Sequence, residues 1–337
     1  MESVRWGILS VSGHYALRVH QPLSSLPGAR VAAIASRDSE RAAKAAVRFG
    51  AERSYGSYAE LLADPAVEAV YIPLPNNLHR EWTEKALDAG KHVLCEKPLA
   101  MDAAEARAMA RHARGKGLLL MEAFMYRFHP QWIRAREIVA CGEIGKVRAI
   151  HAWFSYDNAD PSNIRNRRET GGGALYDIGC YAVSASRWIM GAEPERALAL
   201  VDRDPGFGTD VLSSGILDFG APAGGARATF TVATRSFPAQ KVEVVGDKGA
   251  LALELPFNAY PDVALALDVR TKLGSRRVMA GPADQYAAMF AAFSRALREG
   301  AREPTPPSDA VANMAALDAL FKSEKSGAWV KVEAERD

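Results

Sequence analysis

Near its N-terminus the chain reads Arg5-Trp6-Gly7-Ile8-Leu9-Ser10-Val11-Ser12-Gly13, an apolar run that passes directly into a loop of small residues. A strand followed by such a loop and a helix can bind a pyrophosphate with its main-chain amides, and the usual fingerprint is Gly-x-Gly-x-x-Gly. Only Gly7 and Gly13 of that fingerprint are present, with Ser10 and Ser12 between them. An ordinary tight turn is the alternative, but the position at the start of a βαβ series favours a dinucleotide site.

Outward from this loop, short apolar runs alternate with helical patterns, which predicts a parallel sheet with intervening helices. A sheet of six parallel strands is predicted. Apolar runs locate five of these strands, at Arg5–Leu9, Arg30–Ala35, Ala69–Ile72, Lys91–Leu94 and Leu118–Glu122. The helices between them are predicted at Ala16–Leu26, Ser39–Phe49 with a plausible cap at Ser39, Tyr58–Ala63, Leu78–Ala89 and Asp102–Lys116.

From Phe124 the pattern changes to strands without helices between them, which is typical of an antiparallel sheet. Strands are predicted at Arg148–Tyr156, Arg196–Asp202, Leu212–Phe219, Ala226–Thr234, Lys241–Val245 and Ala250–Leu255. Helices are predicted at Gln131–Ala140, Asp284–Glu299 and Asp309–Lys325, the last capped by Ser308. The predicted fold is therefore α/β: an N-terminal Rossmann domain, residues 1–123, and a C-terminal α+β domain, residues 124–337, with a mostly antiparallel open sheet. We expect the last helix to pack back toward the N-terminal domain.

The composition describes an ordinary globular protein. At 337 residues the chain exceeds the usual size of one hydrophobic core, and it is 48% hydrophobic and 24% charged. Lys and Arg total 42 against 40 Asp and Glu, a balance that gives no support to a nucleic-acid or membrane partner. Three unpatterned cysteines and the lack of a secretory signal or membrane-spanning run predict a soluble cytoplasmic protein. The histidines show no spacing typical of a metal site.

Lys97 stands where the predicted strand Lys91–Leu94 has just ended, in Cys95-Glu96-Lys97-Pro98. The crevice beyond the carboxyl ends of parallel strands is where ligands bind. A structural lysine normally lies on a solvated helix face, so this position favours a catalytic role. Glu96 is a candidate ion-pair partner.

A second motif, Gly171-Gly172-Gly173-Ala174-Leu175-Tyr176-Asp177-Ile178-Gly179-Cys180-Tyr181, places Asp177 and Tyr181 four residues apart on a predicted helix. Either residue alone could be structural. Together on one helix face, behind three glycines that let the main chain approach a ligand, they favour a catalytic pair for proton and hydride transfer on an alcohol or carbonyl group.

Ser36 and Arg37 follow the second predicted strand, where NAD-binding proteins usually carry an acidic residue for the ribose hydroxyls. Arg37 would instead attract a 2′-phosphate, and this favours NADP(H), with NAD(H) possible. A solvated arginine is the alternative. For Arg165 and Arg168 a solvated loop and a ligand-binding role are equally supported, and Tyr126 and Arg127 are either core residues or part of the cleft lining.

These motifs resemble the glucose–fructose oxidoreductase/inositol dehydrogenase (Gfo/Idh/MocA) family over essentially the whole chain. The resemblance is carried by Trp6–Ser10, Pro75–His79, Glu96–Pro98, Glu122–Gln131, Gly171–Tyr181 and the closing helix with Ser326-Gly327. The stretch from Glu122 narrows it to members similar to glucose–fructose oxidoreductase, NADP-dependent D-xylose dehydrogenases and dihydrodiol dehydrogenases.

The resemblance implies that Lys97, Asp177 and Tyr181 are catalytic and that Asn76 and His79 line the nicotinamide side. The candidate cofactor-binding residues are Gly7, Ser10, Ser12, Gly13, His14, Ser36, Arg37, Pro73, Leu74, Asn76, His79, Glu96, Lys97 and Arg165. The candidate substrate-binding residues are Tyr126, Arg127, Tyr156 and Arg168.

The implied activity is NADP(H)-dependent oxidation of a sugar or vicinal diol, with an aldose 1-dehydrogenase of the D-xylose type as first choice. The alternatives are a trans-dihydrodiol dehydrogenase, a keto-sugar reductase, and a non-catalytic dinucleotide-binding regulator. The resemblance also implies a homodimer or homotetramer formed through the C-terminal sheet.

Overall fold

The computed structural model describes residues 2–333; Met1 and residues 334–337, which the predicted domain ranges include, lie outside them. The chain forms two compact units. The first runs to Met125 and also contains Asp284–Val311, and the second contains Tyr126–Ala283 and the chain from Ala312 onward. The predicted boundary between residues 123 and 124 falls two residues before this division. The segment Asp284–Val311, which the prediction assigned to the second domain, lies with the first unit.

Within the described residues, the strands of the first unit form a six-stranded parallel sheet. They are β1 (Val4–Leu9), β2 (Ala29–Ala35), β3 (Arg53–Tyr55), β4 (Ala69–Ile72), β5 (His92–Cys95) and β6 (Leu120–Glu122). Their order is β3-β2-β1-β4-β5-β6, so the direction of winding reverses between β1 and β4. This is the order of a dinucleotide-binding sheet, and the predicted Rossmann fold is confirmed. The strand whose position was not predicted from the sequence is β3, and its three residues are all half-buried.

In the described part of the second unit, nine strands form the other sheet. They are β7 (Val147–Asp157), β8 (Arg196–Arg203), β9 (Asp210–Asp218), β10 (Arg227–Ala233), β11 (Arg235–Gly246), β12 (Gly249–Leu253), β13 (Leu265–Thr271), β14 (Gly274–Ala280) and β15 (Val330–Lys331). Their order is β14-β13-β12-β11-β7-β10-β9-β8-β15, and every neighbouring pair is antiparallel except β10 and β7. The predicted, mostly antiparallel sheet is confirmed. The strands β13, β14 and β15 were not predicted.

Nine α-helices lie within residues 2–333. They are α1 (His20–Ser24), α2 (Ser39–Phe49), α3 (Tyr58–Ala63), α4 (His79–Asp88), α5 (Ala103–Lys116), α6 (Pro130–Ala140), α7 (Cys180–Met190), α8 (Gln285–Glu299) and α9 (Pro307–Ser326). Two of them, α1 and α7, are preceded by π-helical turns, at Tyr15–Val19 and Leu175–Gly179. None of the helices in this part of the chain is both long and apolar enough to cross a membrane.

Two predicted helix caps were wrong. The carboxylate of Asp38, not Ser39, accepts the main-chain N–H of Arg41 at 3.0 Å and so caps α2. At α9 the helix already begins at Pro307, which places Ser308 inside the first turn. Proline is favoured at this position because its missing N–H would have no partner in the first turn.

Each unit has its own aromatic core. In the first unit, Trp6 of β1 is fully buried and packs against Phe290 and Phe293 of α8, with ring centroids 4.9 and 5.4 Å apart. This contact explains why α8 lies with the first sheet. In the second unit, Trp132 of α6 and Phe257 pack around Tyr126 with ring centroids 5.0 and 5.5 Å from it.

Candidate active site

Three loops of the first unit carry most of the predicted cofactor-binding residues. They follow β1, β4 and β5, which are hydrogen-bonded neighbours in one parallel sheet. Because the carboxyl ends of parallel strands share one edge, the loops beginning at Ser10, Pro73 and Glu96 lie along the same edge, at the reversal of the strand order.

The loop after β1 has the geometry of a phosphate-binding turn although the glycine fingerprint is incomplete. Ser10 has a φ of +143°, a region that glycine occupies easily and other residues rarely do. The hydroxyl of Ser12 accepts the main-chain N–H of Tyr15 at 3.0 Å and its carbonyl accepts that of Ala16 at 3.1 Å. Among the described residues other than its chain neighbours, no atom lies within 4 Å of where a Cβ on Gly13 would be. The loop therefore leaves open space beside a helix start, and this fits a dinucleotide pyrophosphate.

Gly7 has a different reason to be glycine. It lies inside β1, and a Cβ there would come within 2.6 Å of Leu61 and 2.9 Å of Val67. Close packing inside the unit is therefore sufficient to explain this glycine, and its contact with a cofactor stays a prediction.

Ser36 is buried at the end of β2, and its hydroxyl accepts the main-chain N–H of Asp38 at 3.3 Å, while Arg37 is exposed. Next to this turn the guanidinium of Arg41 donates to the carbonyl of Val11 at 2.7 Å and ties α2 to the loop after β1. A groove of about 360 Å³ opens there, lined by Val11, Asp38, Glu40, Arg41, Lys44, Ala45, Arg48 and Phe49. The lining combines three cations with two carboxylates, and Lys44 pairs with Glu40 at 2.6 Å, so Arg41 and Arg48 are the cations that suit a phosphorylated ribose.

Glu96 is almost fully buried at the end of β5 and is held by three groups. Its Oε1 accepts the hydroxyl of Tyr71 at 2.6 Å and lies 3.3 Å from Nε2 of His14, and its Oε2 accepts the main-chain N–H of Lys97 at 3.3 Å. Burial alone would raise the pKa of Glu96, but the charge and hydrogen bond of His14, with Lys97 and Tyr71, lower it to about 2. Glu96 thus carries a negative charge beside Lys97.

Tyr71 was not identified from the sequence. Its hydroxyl is the single polar side-chain group in the apolar strand β4, and only that isolated hydroxyl could have marked it. Burial and the neighbouring Glu96 raise its pKa, so it stays protonated and donates.

His79 is fully buried, with Nδ1 2.9 Å from the carbonyl of Pro98 and Nε2 2.9 Å from that of Leu74. Burial lowers its pKa despite these two carbonyls. The ring contacts the loops after β4 and β5 through these two carbonyls, and its predicted place beside the nicotinamide stays a prediction. In the loop after β4, Pro73 and Leu74 are buried and Asn76 begins a short 3₁₀ turn. In the loop after β5, Lys97 is half-buried and precedes a cis peptide bond to Pro98.

In the second unit, a glycine loop leads into the π-helical turn that carries Asp177. A Cβ on Gly172 would lie 2.5 Å from the carbonyl oxygen of Arg165, and one on Gly173 would lie 1.9 Å from Oδ1 of Asp210. The glycines are therefore required for close packing of the loop. Tyr181 follows in the first turn of α7.

Asp177 is held by two residues that the sequence had only proposed for substrate and cofactor contact. Its Oδ2 accepts the hydroxyl of Tyr156 at 2.6 Å and the Nε–H of Arg165 at 2.9 Å. Burial and the charge of Asp177 raise the pKa of Tyr156, and Asp177 raises that of Arg165. The carboxylate of Asp177 therefore accepts hydrogen bonds from the neutral phenol of Tyr156 and the guanidinium of Arg165.

Tyr181 is 6% exposed and lies in an aromatic cluster with Phe154 and Phe257, whose ring centroids are 5.7 and 5.2 Å from its own. These contacts hold its ring in place.

Tyr126 and Arg127 lie inside the second unit. Tyr126 is fully buried, and its hydroxyl lies 2.7 Å from that of Ser184, which also accepts a 2.7 Å bond from Arg127. Arg127 further lies 5.7 Å from the ring centroid of Trp188. Substrate contact by either residue stays a prediction. Arg168 is exposed on a 3₁₀ turn.

Lys97 belongs to the first unit, and Asp177 and Tyr181 belong to the second. Their convergence on one ligand stays a prediction. Within the described residues, no group of three or more His, Cys, Asp or Glu side chains could hold a metal ion.

Comparison with known proteins bears on the whole chain. Residues 4–124 match the oxidoreductase family with an NAD-binding Rossmann fold, and residues 132–252 match the GFO/IDH/MocA C-terminal domain. The chain is 45% identical over 339 residues to the uncharacterized oxidoreductase ORF334 of Rhizobium meliloti, covering 98% of this chain and 100% of that one. It is 38% identical to D-xylose 1-dehydrogenase (NADP(+)) 2 of Haloferax volcanii, covering 97% and 99% of the two chains.

Among solved structures, KijD10, a 3-ketoreductase from Actinomadura kijaniata crystallised with NADP and TDP-benzene, superposes with a TM-score of 0.90. The two chains are 31% identical, and the match covers 96% of this chain and 98% of that one. The resemblance inferred from the sequence motifs is thereby confirmed. The chain belongs to the GFO/IDH/MocA family and is an NAD(P)-dependent oxidoreductase.

Proposed function

We propose that the protein is an NADP(H)-dependent aldose 1-dehydrogenase that oxidises a pyranose of the D-xylose type to its lactone. The observation that carries the proposal is the Tyr156–Asp177–Arg165 cluster, which fixes a carboxylate four residues from Tyr181. The similarity to a D-xylose 1-dehydrogenase over nearly the full length of both chains supports the substrate class.

NADP(H) is the proposed cofactor. Its support is the serine at the end of β2, the exposed Arg37 and the neighbouring groove with Arg41 and Arg48, since these suit a 2′-phosphate better than a carboxylate would. The bound nicotinamide supplies the hydride acceptor. Ser10 and Ser12 would hold the pyrophosphate side through the loop after β1.

In the proposed reaction Tyr181 takes the proton of the C1 hydroxyl as the C1 hydrogen leaves as hydride. A free tyrosine titrates near pH ~10, so it needs a nearby positive charge to act as a base near neutrality. Lys97 is the proposed source of that charge. Asp177 orients a substrate hydroxyl, while Tyr156 and Arg165 hold Asp177 in position.

The test is a substrate panel with purified protein. D-xylose, D-glucose, further aldoses and a trans-dihydrodiol are each offered with NADP⁺ and with NAD⁺, and reduced nicotinamide is followed by absorbance. We expect turnover with aldoses and NADP⁺, with Tyr181→Phe as the inactive control. NADPH binding without turnover on any substrate would instead support a dinucleotide-binding regulator. Turnover confined to the diol would support the dihydrodiol dehydrogenase alternative.

Reduction of a keto group on a sugar is the second candidate function, because KijD10, a 3-ketoreductase, matches over 96% of this chain. The two candidates differ in direction. Consumption of NADPH with keto sugars at a kcat/KM far above that of aldose oxidation would favour the reductase.

We also propose that the open face of the nine-stranded sheet binds a second copy of the chain. Trp153 and Leu200 on this face are 40% and 77% exposed, and they line an apolar groove of about 390 Å³. An antiparallel sheet with one uncovered apolar face needs a partner surface. Light scattering after chromatography should give a dimer or larger assembly, and Leu200→Glu should lower its mass. A monomer at micromolar concentration would contradict the proposal.

A further inference from the structure

Asp210, at the start of β9, is a buried carboxylate that the sequence analysis did not identify. It is 1% exposed. Its Oδ2 accepts the main-chain N–H of Leu175 at 2.6 Å and the hydroxyl of Ser213 at 3.0 Å. Its Oδ1 lies against Gly173, where a Cβ would come within 1.9 Å. The carboxylate therefore fills the space that a side chain at Gly173 would take.

The bond to Leu175 caps a helix from a distant strand. The first N–H groups of a helix have no partner within it, and a capping side chain usually precedes them. Here the preceding residue is Ala174, which makes no side-chain cap. Asp210 supplies the missing acceptor, and a negative charge at this end also interacts favourably with the helix dipole.

The capped turn is the one that carries the proposed catalytic residues. Leu175 is two residues before Asp177 and six before Tyr181. The main-chain N–H of Asp177 donates to the carbonyl of Gly173 at 3.0 Å, so Gly173 is fixed on one side by Asp210 and on the other by the turn itself. A displacement of this turn would move both side chains together.

We infer that Asp210 is a positioning residue, which sets the location of Asp177 and Tyr181 by capping their helix and seating Gly173. The inference rests on the proposed roles of those two residues. Asp210 would act through these two residues and would touch neither substrate nor cofactor.

Two charged or titratable side chains, Arg203 and Tyr156, interact electrostatically with Asp210. Arg203 of β8 favours its ionised form, while burial raises its pKa. In turn the charge of Asp210 raises the pKa of Tyr156, which donates to Asp177. Tyr156 stays neutral on Asp177, so neutralising Asp210 should act on kcat through the position of the turn.

The chain offers a matched control at the other end of the same strand. Asp218 ends β9 and is also buried, and its Oδ2 accepts two bonds from Arg196 at 2.9 and 2.8 Å. It caps no helix that carries a proposed catalytic residue. Asp210→Ala and Asp218→Ala thus remove comparable carboxylates from one strand.

The experiment compares these two variants with Asp210→Asn, which keeps an acceptor oxygen, and with Tyr181→Phe. For Asp210→Ala we expect kcat for D-xylose with NADP⁺ to fall about 10²-fold, because a misplacement of about 1 Å costs that much. The Kd for NADPH should stay unchanged, so that the loss appears in kcat alone. Asp210→Asn should show a smaller loss, and Asp218→Ala should keep kcat within about threefold even if its melting temperature drops.

Hydrogen exchange of residues 174–181 gives a readout that needs no substrate. Removal of the cap should speed exchange there in Asp210→Ala and not in Asp218→Ala. Equal kcat and equal hydrogen exchange in Asp210→Ala and Asp218→Ala would overturn the inference. If Asp210→Ala does not fold, kcat and hydrogen exchange are measured on Asp210→Asn instead. Full activity in Tyr181→Phe, or no turnover of D-xylose by the unaltered protein, would refute the proposed function alone, since the exchange result still tests the cap.

Discussion

Each unit contains a loop that leads into a π-helical turn before an α-helix. In the first unit the loop after β1 enters the turn Tyr15–Val19, and in the second the loop of Gly171–Gly173 enters the turn Leu175–Gly179. Such turns are rare and are often found at functional sites. The two loops nevertheless use their small residues in opposite ways.

The first loop is open and the second is filled. Within residues 2–333, and apart from its chain neighbours, a Cβ at Gly13 would meet no atom within 4 Å, whereas at Gly172 and Gly173 it would collide with Arg165 and Asp210. Small residues in the first loop therefore leave room for a ligand to approach the main chain. Those in the second loop let the protein pack against itself and fix the helix that carries Asp177 and Tyr181. A glycine-rich motif by itself does not distinguish these two uses.

The largest expected effect is on turnover. Lys97→Met in the first unit and Tyr181→Phe in the second should each lower kcat for D-xylose by about 10³-fold, since general acid–base groups contribute about 10²–10⁴-fold. Binding of NADPH, measured by fluorescence, should change little. Lys116→Met, which removes a surface lysine paired with Asp88, is the control. Activity within tenfold of the unaltered enzyme in either variant would remove that residue from the mechanism.

A direct test of the open and filled loops is to add one methyl group to each. Gly173→Ala has both a φ of +120° and a collision with Asp210, and it should destabilise the protein by about 3 kcal/mol. Gly13→Ala should change the free energy of unfolding by less than about 1 kcal/mol, because the site is open. Urea denaturation gives both values. A raised Kd for NADPH in Gly13→Ala alone would show that the open space is the ligand's, and equal destabilisation of the two would contradict the distinction.

Acid sensitivity provides a test of the first loop through Glu96. The pKa of this buried carboxyl falls from an ordinary value of 4.5 to about 2 in the folded protein, with His14 of the loop among the causes. Because the folded pKa is depressed, ionised Glu96 stabilises the fold above about pH 4.5, and this stabilisation is lost as pH falls through about 2. The difference corresponds to about 3 kcal/mol.

Unfolding free energies between pH 6 and pH 3 should therefore fall less steeply in Glu96→Gln than in the unaltered protein. Glu143→Gln serves as the control, since Glu143 forms a partly exposed pair with Arg276 and such pairs contribute little. Parallel pH dependence in all three proteins would show that Glu96 is not held as a charged group.

Local pattern was sufficient for the parts of the fold that bury a continuous apolar face. The strands β1, β2 and β4 and the helices α2 and α3 lie within one residue of their predicted bounds. Two of the missed strands have no such face: β3 is a half-buried edge strand of three residues, and β14 is exposed along most of its length. An alternating apolar pattern cannot reveal a strand that is held in the sheet by its neighbouring strands and has no buried face of its own. The strand β13 does bury Leu265, Leu267 and Val269 at alternate positions, and its period-2 pattern was overlooked.

The candidate site shows the same limit. The sequence identified Lys97, Asp177 and Tyr181 by their positions beside a strand end and on a helix. It did not show that Tyr156 and Arg165 both bind Asp177, because that pairing joins residues 21 and 12 positions apart through the fold. It also did not find Asp210, which lies 35 positions from Leu175 and has no local motif.

A moderate effect is expected where the second loop meets its carboxylate. Tyr156→Phe removes the 2.6 Å hydrogen bond to Asp177 and leaves Arg165 as the remaining donor of this cluster. We expect kcat to fall about tenfold, the equivalent of about 1.4 kcal/mol for a charged hydrogen bond, with a smaller change in the Kd for NADPH. Tyr260→Phe, at an exposed phenol, is the control. A tenfold rise in KM with unchanged kcat would place Tyr156 in substrate binding instead of support.

The smallest effect concerns the one strained residue of the open loop. Ser10 has a φ of +143°, which costs a residue with a side chain on the order of 1 kcal/mol and costs glycine almost nothing. Ser10→Gly should therefore raise the free energy of unfolding by up to about 1 kcal/mol, less the entropy that glycine adds to the unfolded chain. Ser12→Gly is the control and should destabilise, because it removes the hydroxyl that accepts the N–H of Tyr15. If Ser10→Gly is stabilised and its Kd for NADPH rises, the serine hydroxyl binds the cofactor and this binding is the reason the strain is kept. If the Kd is unchanged, the main chain of the loop is sufficient for binding, as its open geometry suggests.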